Sequence, residues 1–244
     1  MRKIAISERL KKLADMVQPG HTVADVGCDH GWLSIYLVWM GISPKAVAMD
    51  LRKGPLSAAK AHVSDYGLGS QIDIRLSNGL QALEPGEAQT ILLAGMGGRL
   101  MLEILKAGWE KLMGAEELIL QPQSDIPLVR SFLRLGRFPL LSEDILLEDG
   151  KYYFPMKARI LPEAVLDISL EMLQQQESFE DRYGFLLLKE RPFLFLKYLE
   201  KEEARLSGIL DQMKEAGKRG DPYQQTERLL EETRKILFKG FERR

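Results

Sequence analysis

The chain has 244 residues, 45% of them hydrophobic, enough to bury the core of one medium domain with an appendage. A formal charge of −1 leaves no global basic signature, so a nucleic-acid partner would have to be held by local patches. The lone cysteine, Cys28, excludes an internal disulfide and a thiolate zinc cluster and suits a reducing cytoplasm, and His21, His30 and His62 lack metal-ligand spacing, so no metal is expected.

Residues 1–17 spread their charges among Ile6, Leu10, Leu13 and Val17, a spacing that predicts an amphipathic helix rather than a signal peptide. No run approaches the length of an apolar membrane span, so a soluble protein is expected. After the Pro19-Gly20 turn, His21 to Val26 reads as a first strand and His30 to Gly41 as a helix. Lys45 to Leu51 is a second strand, and Gly54-Pro55 opens a helix to Leu68. Ile72 to Leu76 alternates as a third strand and ends at Ser77-Asn78-Gly79. Thr90 to Ala94 is apolar from Ile91 on, hence a central buried strand, and delivers Gly95-Met96-Gly97-Gly98 at its end before a helix from Arg99 to Ala107. Glu117 to Gln121 is a fifth strand and Ile126 to Leu135 a helix. Phe138 to Leu147 and Lys151 to Ile160 form a hairpin across Glu148-Asp149-Gly150. This alternation predicts an α/β doubly wound, mostly parallel sheet with an antiparallel edge hairpin.

From Pro162 the composition shifts to Leu, Glu, Gln, Lys and Arg. Leu196, Leu199, Leu206, Leu210 and Met213 form a coiled-coil-like seam in which Glu203 replaces one apolar position. The segment Val165 to Glu180 is the nearest helix to cover it, with Asp221 to Phe238 a third helix. The expected domains are therefore 1–161 and a helical arm, 162–244, read either as a packing appendage or as a substrate-gripping arm.

The chemistry centres on VADVGCDHGW, residues 23–32, where an apolar strand meets Asp25 and then Gly27 and Gly31. Asp50, at the end of the second strand, follows Gly27 by 23 residues, where a carboxylate can accept both ribose hydroxyls of a nucleoside. A dinucleotide fingerprint fails at Asp29, whose carboxylate would meet a pyrophosphate, so a cationic or phosphate-free nucleoside is favoured.

DVGCDHGWL, AMDLRKGPLSAAK, the NGL after the third strand, LLAGMGG, ELILQP and LLEDGKYY together resemble the bacterial TrmK (YqfN-like) tRNA methyltransferases from about Ile6 to Ile160. The resemblance extends more loosely through YGFLLLKERPFLFLKYLEKE, with Asn78 and Phe185 as departures. It implies a Rossmann-like class I methyltransferase fold and methylation of N1 of adenine 22 in tRNA with S-adenosyl-L-methionine. The cofactor site it implies comprises Asp25, Gly27, Cys28, Asp29, His30, Asp50, Leu51, Asn78, Gly79, Ala94, Gly95, Met96 and Gly97. Asp50 takes the ribose hydroxyls, Leu51 packs the adenine, Asn78 and Gly79 bound its edge, and Ala94 to Gly97 line the methyl end. Asp29 is the candidate catalytic residue, through a negative field at the developing cation. Binding of the methionine amine and capping of the following helix stay open for it. For RNA the candidates are Arg9, Lys12, Arg52, Lys53, Arg130 and Arg134. Arg2, Lys3, Lys11, Arg137, Arg234, Lys235, Lys239, Arg243 and Arg244 form further basic groups, and Tyr152 or Tyr153 is placed to stack on an extruded base. A monomer is expected, with a homodimer left open. Methylation of a small molecule or protein, and a non-catalytic RNA-binding module, are the alternatives.

Overall fold

The computed structural model describes residues 4–241. Arg2, Lys3, Arg243 and Arg244 lie outside them. The chain forms two compact units, Met1–Gly184 and Phe185–Arg244.

The first unit opens with α1, Glu8–Met16, whose N-terminus is capped by the Ser7 hydroxyl accepting the Leu10 N–H, and whose Leu13, Ala14 and Met16 are buried. Then follow β1 (Val23–Val26), α2 (Trp32–Trp39), β2 (Ala46–Asp50), α3 (Lys53–Asp65), β3 (Ile72–Leu76), β4 (Thr90–Met96), α4 (Gly98–Ala107), α5 (Trp109–Leu112), β5 (Glu117–Pro122) and α6 (Ile126–Leu135). The expected elements are all present with small shifts at their ends, and the four-residue α5 is an addition. The sheet order is β3-β2-β1-β4-β5 followed by two later strands, β9 (Met156–Arg159) and β6 (Leu140–Glu143). The first five strands run parallel, and β9 is antiparallel to both its neighbours. Strand β1 is buried along its whole length, as is β2, because helices cover both faces. Val26 pairs with Met49 on one side and Leu93 on the other, so the residues that follow, Gly27, Asp50 and Ala94, end level at one sheet edge. That edge is where strand order reverses, the crevice that open α/β sheets use for ligands.

The expected single hairpin is broken in two. β6 and β9 join the main sheet, while β7 (Leu146–Glu148) and β8 (Lys151–Tyr153) form a separate two-stranded ribbon at the tip. Asp144 and Pro155 mark the break, with the Asp144 N–H donating to the Pro155 carbonyl.

The expected boundary at 161/162 falls inside the first unit, because α7 (Leu170–Gln175) and α8 (Phe179–Tyr183) are tied to α6. Ser131 donates to the Leu173 carbonyl, Arg130 to those of Asp181 and Arg182, and Arg134 to the Asp181 carboxylate.

The second unit holds α9 (Phe185–Glu190), α10 (Phe193–Glu215) and α11 (Asp221–Phe241). Leu206 and Leu210 of α10 bury against Leu230 of α11. Within this unit the seam at Leu206 and Leu210 is covered by α11, the segment expected as a third helix. Glu203, the polar position in the seam, forms a cross-helix ion pair of 2.7 Å with Arg234, which satisfies a charge where an apolar side chain would otherwise sit.

Candidate functional site

Three consecutive turns of backbone at the end of β1 build the site. Gly27 and Gly31 have φ of 78° and 73°, and Asp29 between them is held at 52°, a region that non-glycine residues enter at a cost. The strain is supported by hydrogen bonds from the Gly27 and Cys28 N–H groups to the Met49 carbonyl and from the Asp29 N–H to Asp50 Oδ2. Asp50 Oδ1 accepts the Arg52 N–H at 2.8 Å. The Asp50 carboxylate is thus the clasp between the β1 and β2 loops.

A cavity of about 390 Å³ opens beside this loop, lined by Arg9, Leu10, Asp25, Gly27, Cys28, Asp29, His30, Trp32, Leu33, Arg52, Ala94, Gly95 and Gln123. Asp25 is 4% exposed, and its carboxylate accepts the Ser34 hydroxyl at 2.6 Å. Burial pushes its pKa up to about 6 against the pull of Ser34, and the nearby Asp50 charge adds to the rise. The Cys28 thiol is also pushed up, by burial and by the surrounding aspartates, so it is held protonated and inert as a nucleophile. Asp29 is largely exposed, with Arg52 Nη2 at 3.2 Å and His30 Nε2 at 3.8 Å. It does not cap α2, whose N-cap is Gly31 without a side-chain bond, so the capping reading of Asp29 is withdrawn.

On the opposite wall, β4 and β5 shift register between Ala94 and Met96, leaving Gly95 as a bulge with φ 77°. Where its side chain would stand, Gln123 Nε2 and Arg9 Nη1 lie 3.8 and 4.0 Å away. Arg9 reaches this wall from α1. Its Nη1 donates to Gln121 Oε1 at 2.9 Å, its backbone N–H donates to Glu148 Oε1, and its guanidinium lies 5.6 Å from the Tyr153 ring centroid. The cavity is therefore polarised: carboxylates converge at the β1–β2 side and a fixed guanidinium stands at the β4–β5 side.

Of the expected cofactor residues, Asp25, Gly27, Cys28, Asp29, His30, Ala94 and Gly95 line this cavity. Asp50 lies one hydrogen bond behind it, and Leu51 is exposed at the β2 tip. Asn78 is not with them; it lines a neighbouring hollow of about 330 Å³ with Leu80, Leu100 and Ile104. Gly79 serves packing, since a Cβ there would stand 2.9 Å from Ile104. Met96 lays its methyl against Gly27, and Gly97 is the N-cap of α4.

The basic candidates divide in the same way. Arg9 belongs to the cavity wall. Lys12 pairs with Asp144 at 2.5 Å, Arg52 is 67% exposed, and Lys53 is exposed at the start of α3. Arg130 is an interior residue, paired at 2.6 Å with the fully buried Glu143, and Arg134 is bound to Asp181 at 2.6 Å. Both are corrected from RNA contacts to structural ion pairs, because a guanidinium committed to a buried carboxylate cannot be handed to a phosphate without exposing that carboxylate's charge. Tyr153 has Arg9 and Lys151 over its ring. Sequence reasoning missed Leu10, Trp32, Leu33 and Gln123. The position of Gln123 just beyond the fifth strand's apolar run was the available signal, since strand C-termini face the crevice.

Among the described residues no group of three or more His, Cys, Asp or Glu is placed to hold a metal ion, and no helix is long and apolar enough to cross a membrane. The chain matches the family model "Methyltransferase domain" over residues 6–156. It is 36% identical over 220 residues, 88% of this chain and 89% of the relative, to the tRNA (adenine(22)-N(1))-methyltransferase of Bacillus subtilis (strain 168). Two solved structures superpose over nearly the whole chain. A Streptococcus pneumoniae protein in complex with S-adenosyl-L-methionine has TM-score 0.81 and 32% identity, covering 96% of this chain and 100% of that one. M. capricolum TrmK in complex with S-adenosyl-homocysteine has TM-score 0.79 and 26% identity, covering 95% and 97%.

Proposed function

The chain belongs to the tRNA (adenine(22)-N(1))-methyltransferase family, and on that premise we propose how its own residues serve the reaction. It is an S-adenosyl-L-methionine-dependent methyltransferase that acts on N1 of adenine 22 in tRNA. The observation that carries the site assignment is the polarised cavity at the switch point, because the cofactor is itself polarised, with a carboxylate at one end and an ammonium and sulfonium beside it.

Arg9 is placed to hold the methionine carboxylate, since it presents a guanidinium in the cavity that Gln121 keeps in one orientation. Asp25 and Asp29 supply negative charge for the ammonium and the sulfonium. Asp25 is expensive to keep ionised without a cation beside it, and its raised pKa fits a site waiting for one. Asp50 has its two oxygens along the loop edge, where ribose hydroxyls can add to the backbone N–H groups it already accepts.

When bound, the cofactor supplies an electrophilic methyl: the N1 lone pair attacks that carbon in line, and the sulfonium leaves as a neutral thioether. No proton is removed from N1, and the product base is a cation. The protein therefore needs alignment and a negative field, not a strong base. Asp29, at the mouth of the cavity, is the carboxylate suited to face that developing charge. N1 lies on the pairing edge, so adenine 22 must leave its stack to enter, and exposed Arg52 and Lys53 at the rim are placed to take its phosphates. With tRNA as substrate, the protein works in the cytoplasm.

Incubation of unmodified tRNA transcripts with protein and cofactor, followed by nuclease digestion and mass spectrometry, tests this reading. One added methyl at N1 of adenine 22 is the expected result. Methylation at another base, or at N6, would overturn it.

A further inference from the structure

We propose that Gln123 reads the N6/N7 edge of the target adenine and so turns N1 toward the methyl donor, an assignment that rests on the adenine-N1 reading above. Two glutamines stand at the end of β5, and their commitments differ. Gln121 is fully buried; its Oε1 accepts from Arg9 and its Nε2 donates to the Pro122 carbonyl at 3.2 Å. Its amide is spent on the scaffold. Gln123, two residues on, is exposed and lines the cavity. Its backbone is fixed by its N–H donating to the Met96 carbonyl at 2.9 Å, while its side-chain amide makes no hydrogen bond with another described residue. That amide nitrogen lies 3.8 Å from where a Cβ on Gly95 would stand. With Arg9 Nη1, 4.0 Å from the same point, it therefore frames the stretch of the β4 wall that carries no side chain, and the edge of a base entering the cavity there meets the amide.

The reaction restricts which edge of the base is free for recognition. N1 must present its lone pair to the methyl, so no protein donor can occupy it. Adenine then offers the N6–H donor and the N7 acceptor on its other edge. A primary amide matches that pair, its oxygen accepting from N6 and its NH₂ donating to N7, without consuming N1. Guanine carries an acceptor at O6 where the amide oxygen would lie, and pyrimidines lack the N7 position. One freely placed amide thus both selects adenine and sets its rotation about the ring normal.

The test uses tRNA carrying 7-deazaadenosine at position 22, which replaces the N7 acceptor by C–H, compared with the natural nucleotide. The readout is the ratio of kcat/KM for adenosine over 7-deazaadenosine in the wild type, Gln123→Ala and Gln123→Glu. The analogue also alters N1 basicity, but that factor is common to all three proteins and cancels between them. A ratio about tenfold higher in the wild type than in Gln123→Ala is expected, from the one hydrogen bond to N7. Gln123→Glu should fall below the alanine variant, because a carboxylate has no donor for N7 and is repelled by its lone pair. A partly misfolded variant would lose both substrates alike and leave the ratio readable. Equal ratios in the wild type and Gln123→Ala, with methylation of adenine 22 intact, overturn the role of Gln123 alone. A wild type that leaves natural tRNA unmethylated overturns the adenine-N1 reading and this inference with it.

Discussion

Charge is buried on both sides of the sheet, and it is treated in opposite ways. On the β5–β9–β6 side, Arg130 meets Glu143 and Arg134 meets Asp181, each guanidinium answered by a carboxylate. On the β2–β1–β4 side, buried Asp25 has the Ser34 hydroxyl, and buried Asp50 has backbone N–H groups with Arg52 at 3.4 Å on its exposed flank. Closed pairs tie elements of the fold together; the carboxylates with only neutral or exposed partners are those proposed to meet the cofactor's cation. All these residues are charged in the sequence, so a buried partner of opposite charge, and not charge itself, separates the two groups.

The largest effect should come from opening a closed pair. Arg130→Ala leaves Glu143 buried without its cation and should cost about 3–5 kcal/mol in urea unfolding, whereas replacing both residues by apolar ones of similar volume should recover most of that. Cofactor affinity in the folded fraction should stay unchanged. A variant that loses less than about 1 kcal/mol would show that the pair is not the lock inferred here. The tie between α6 and residues 169–183 adds a companion test. Truncation at residue 161 removes the carbonyl acceptors of Arg130 and Ser131 and the carboxylate partner of Arg134 and should prevent folding, while truncation after Gly184 should leave a unit that binds cofactor but methylates tRNA poorly.

Next in size is the clasp. Asp50→Ala should weaken cofactor binding by about 10–100-fold in calorimetry, since it removes ribose acceptors and frees the Asp29 and Arg52 N–H groups together. Unchanged affinity would remove Asp50 from the ribose site.

The doubly wound, mostly parallel sheet was legible because apolar runs of five or so residues alternate with amphipathic helices and glycine-bearing turns; the order of its strands is set by the fold. The loop after β1 was legible as a cavity wall for a local reason: Asp25, Gly27 and Asp29 lie within five residues of chain. Arg130 and Arg134 were not, because their partners lie 13 and 47 residues away and only the fold brings them together. Asn78 follows the third strand as expected and lines a separate hollow with Leu80 and Ile104. In the second unit α10 pairs with α11, to which a short turn joins it, a proximity along the chain that the apolar spacing of α10 alone does not reveal.

Asp25 allows the comparison to be sharpened by pH. Its pKa is raised to about 6 in the fold against 3.8 when free, so its contribution favours folding below pH 3.8 and is lost as pH rises through 6. Near neutrality the ionised form penalises the cofactor-free fold by roughly 3 kcal/mol. Asp25→Asn should therefore stabilise the free protein at pH 7.5 by about 1–3 kcal/mol while weakening cofactor affinity, the reverse of what Arg130→Ala does. In the wild type, cofactor Kd should rise toward tenfold per pH unit below 6, where the carboxylate protonates. Binding that is flat from pH 5 to 8 would place the cation elsewhere.

The smallest effect tests the rim. Arg52 is 67% exposed and touches Asp29 at 3.2 Å across solvent, so its pairing should contribute less than about 1 kcal/mol to stability. If it also takes a phosphate, Arg52→Ala should reduce the slope of log K against log salt for tRNA binding by about 1, with the thermal midpoint little changed. Arg130→Ala, compared over its folded fraction, should leave that slope where it was, because an interior guanidinium releases no counterion. A lowered slope for Arg130→Ala would return it to the RNA surface. An unchanged slope for Arg52→Ala would leave Arg52 as a counter-charge to Asp29 and Asp50 until a cationic ligand displaces it, which makes the open side of the sheet less open than its carboxylates suggest.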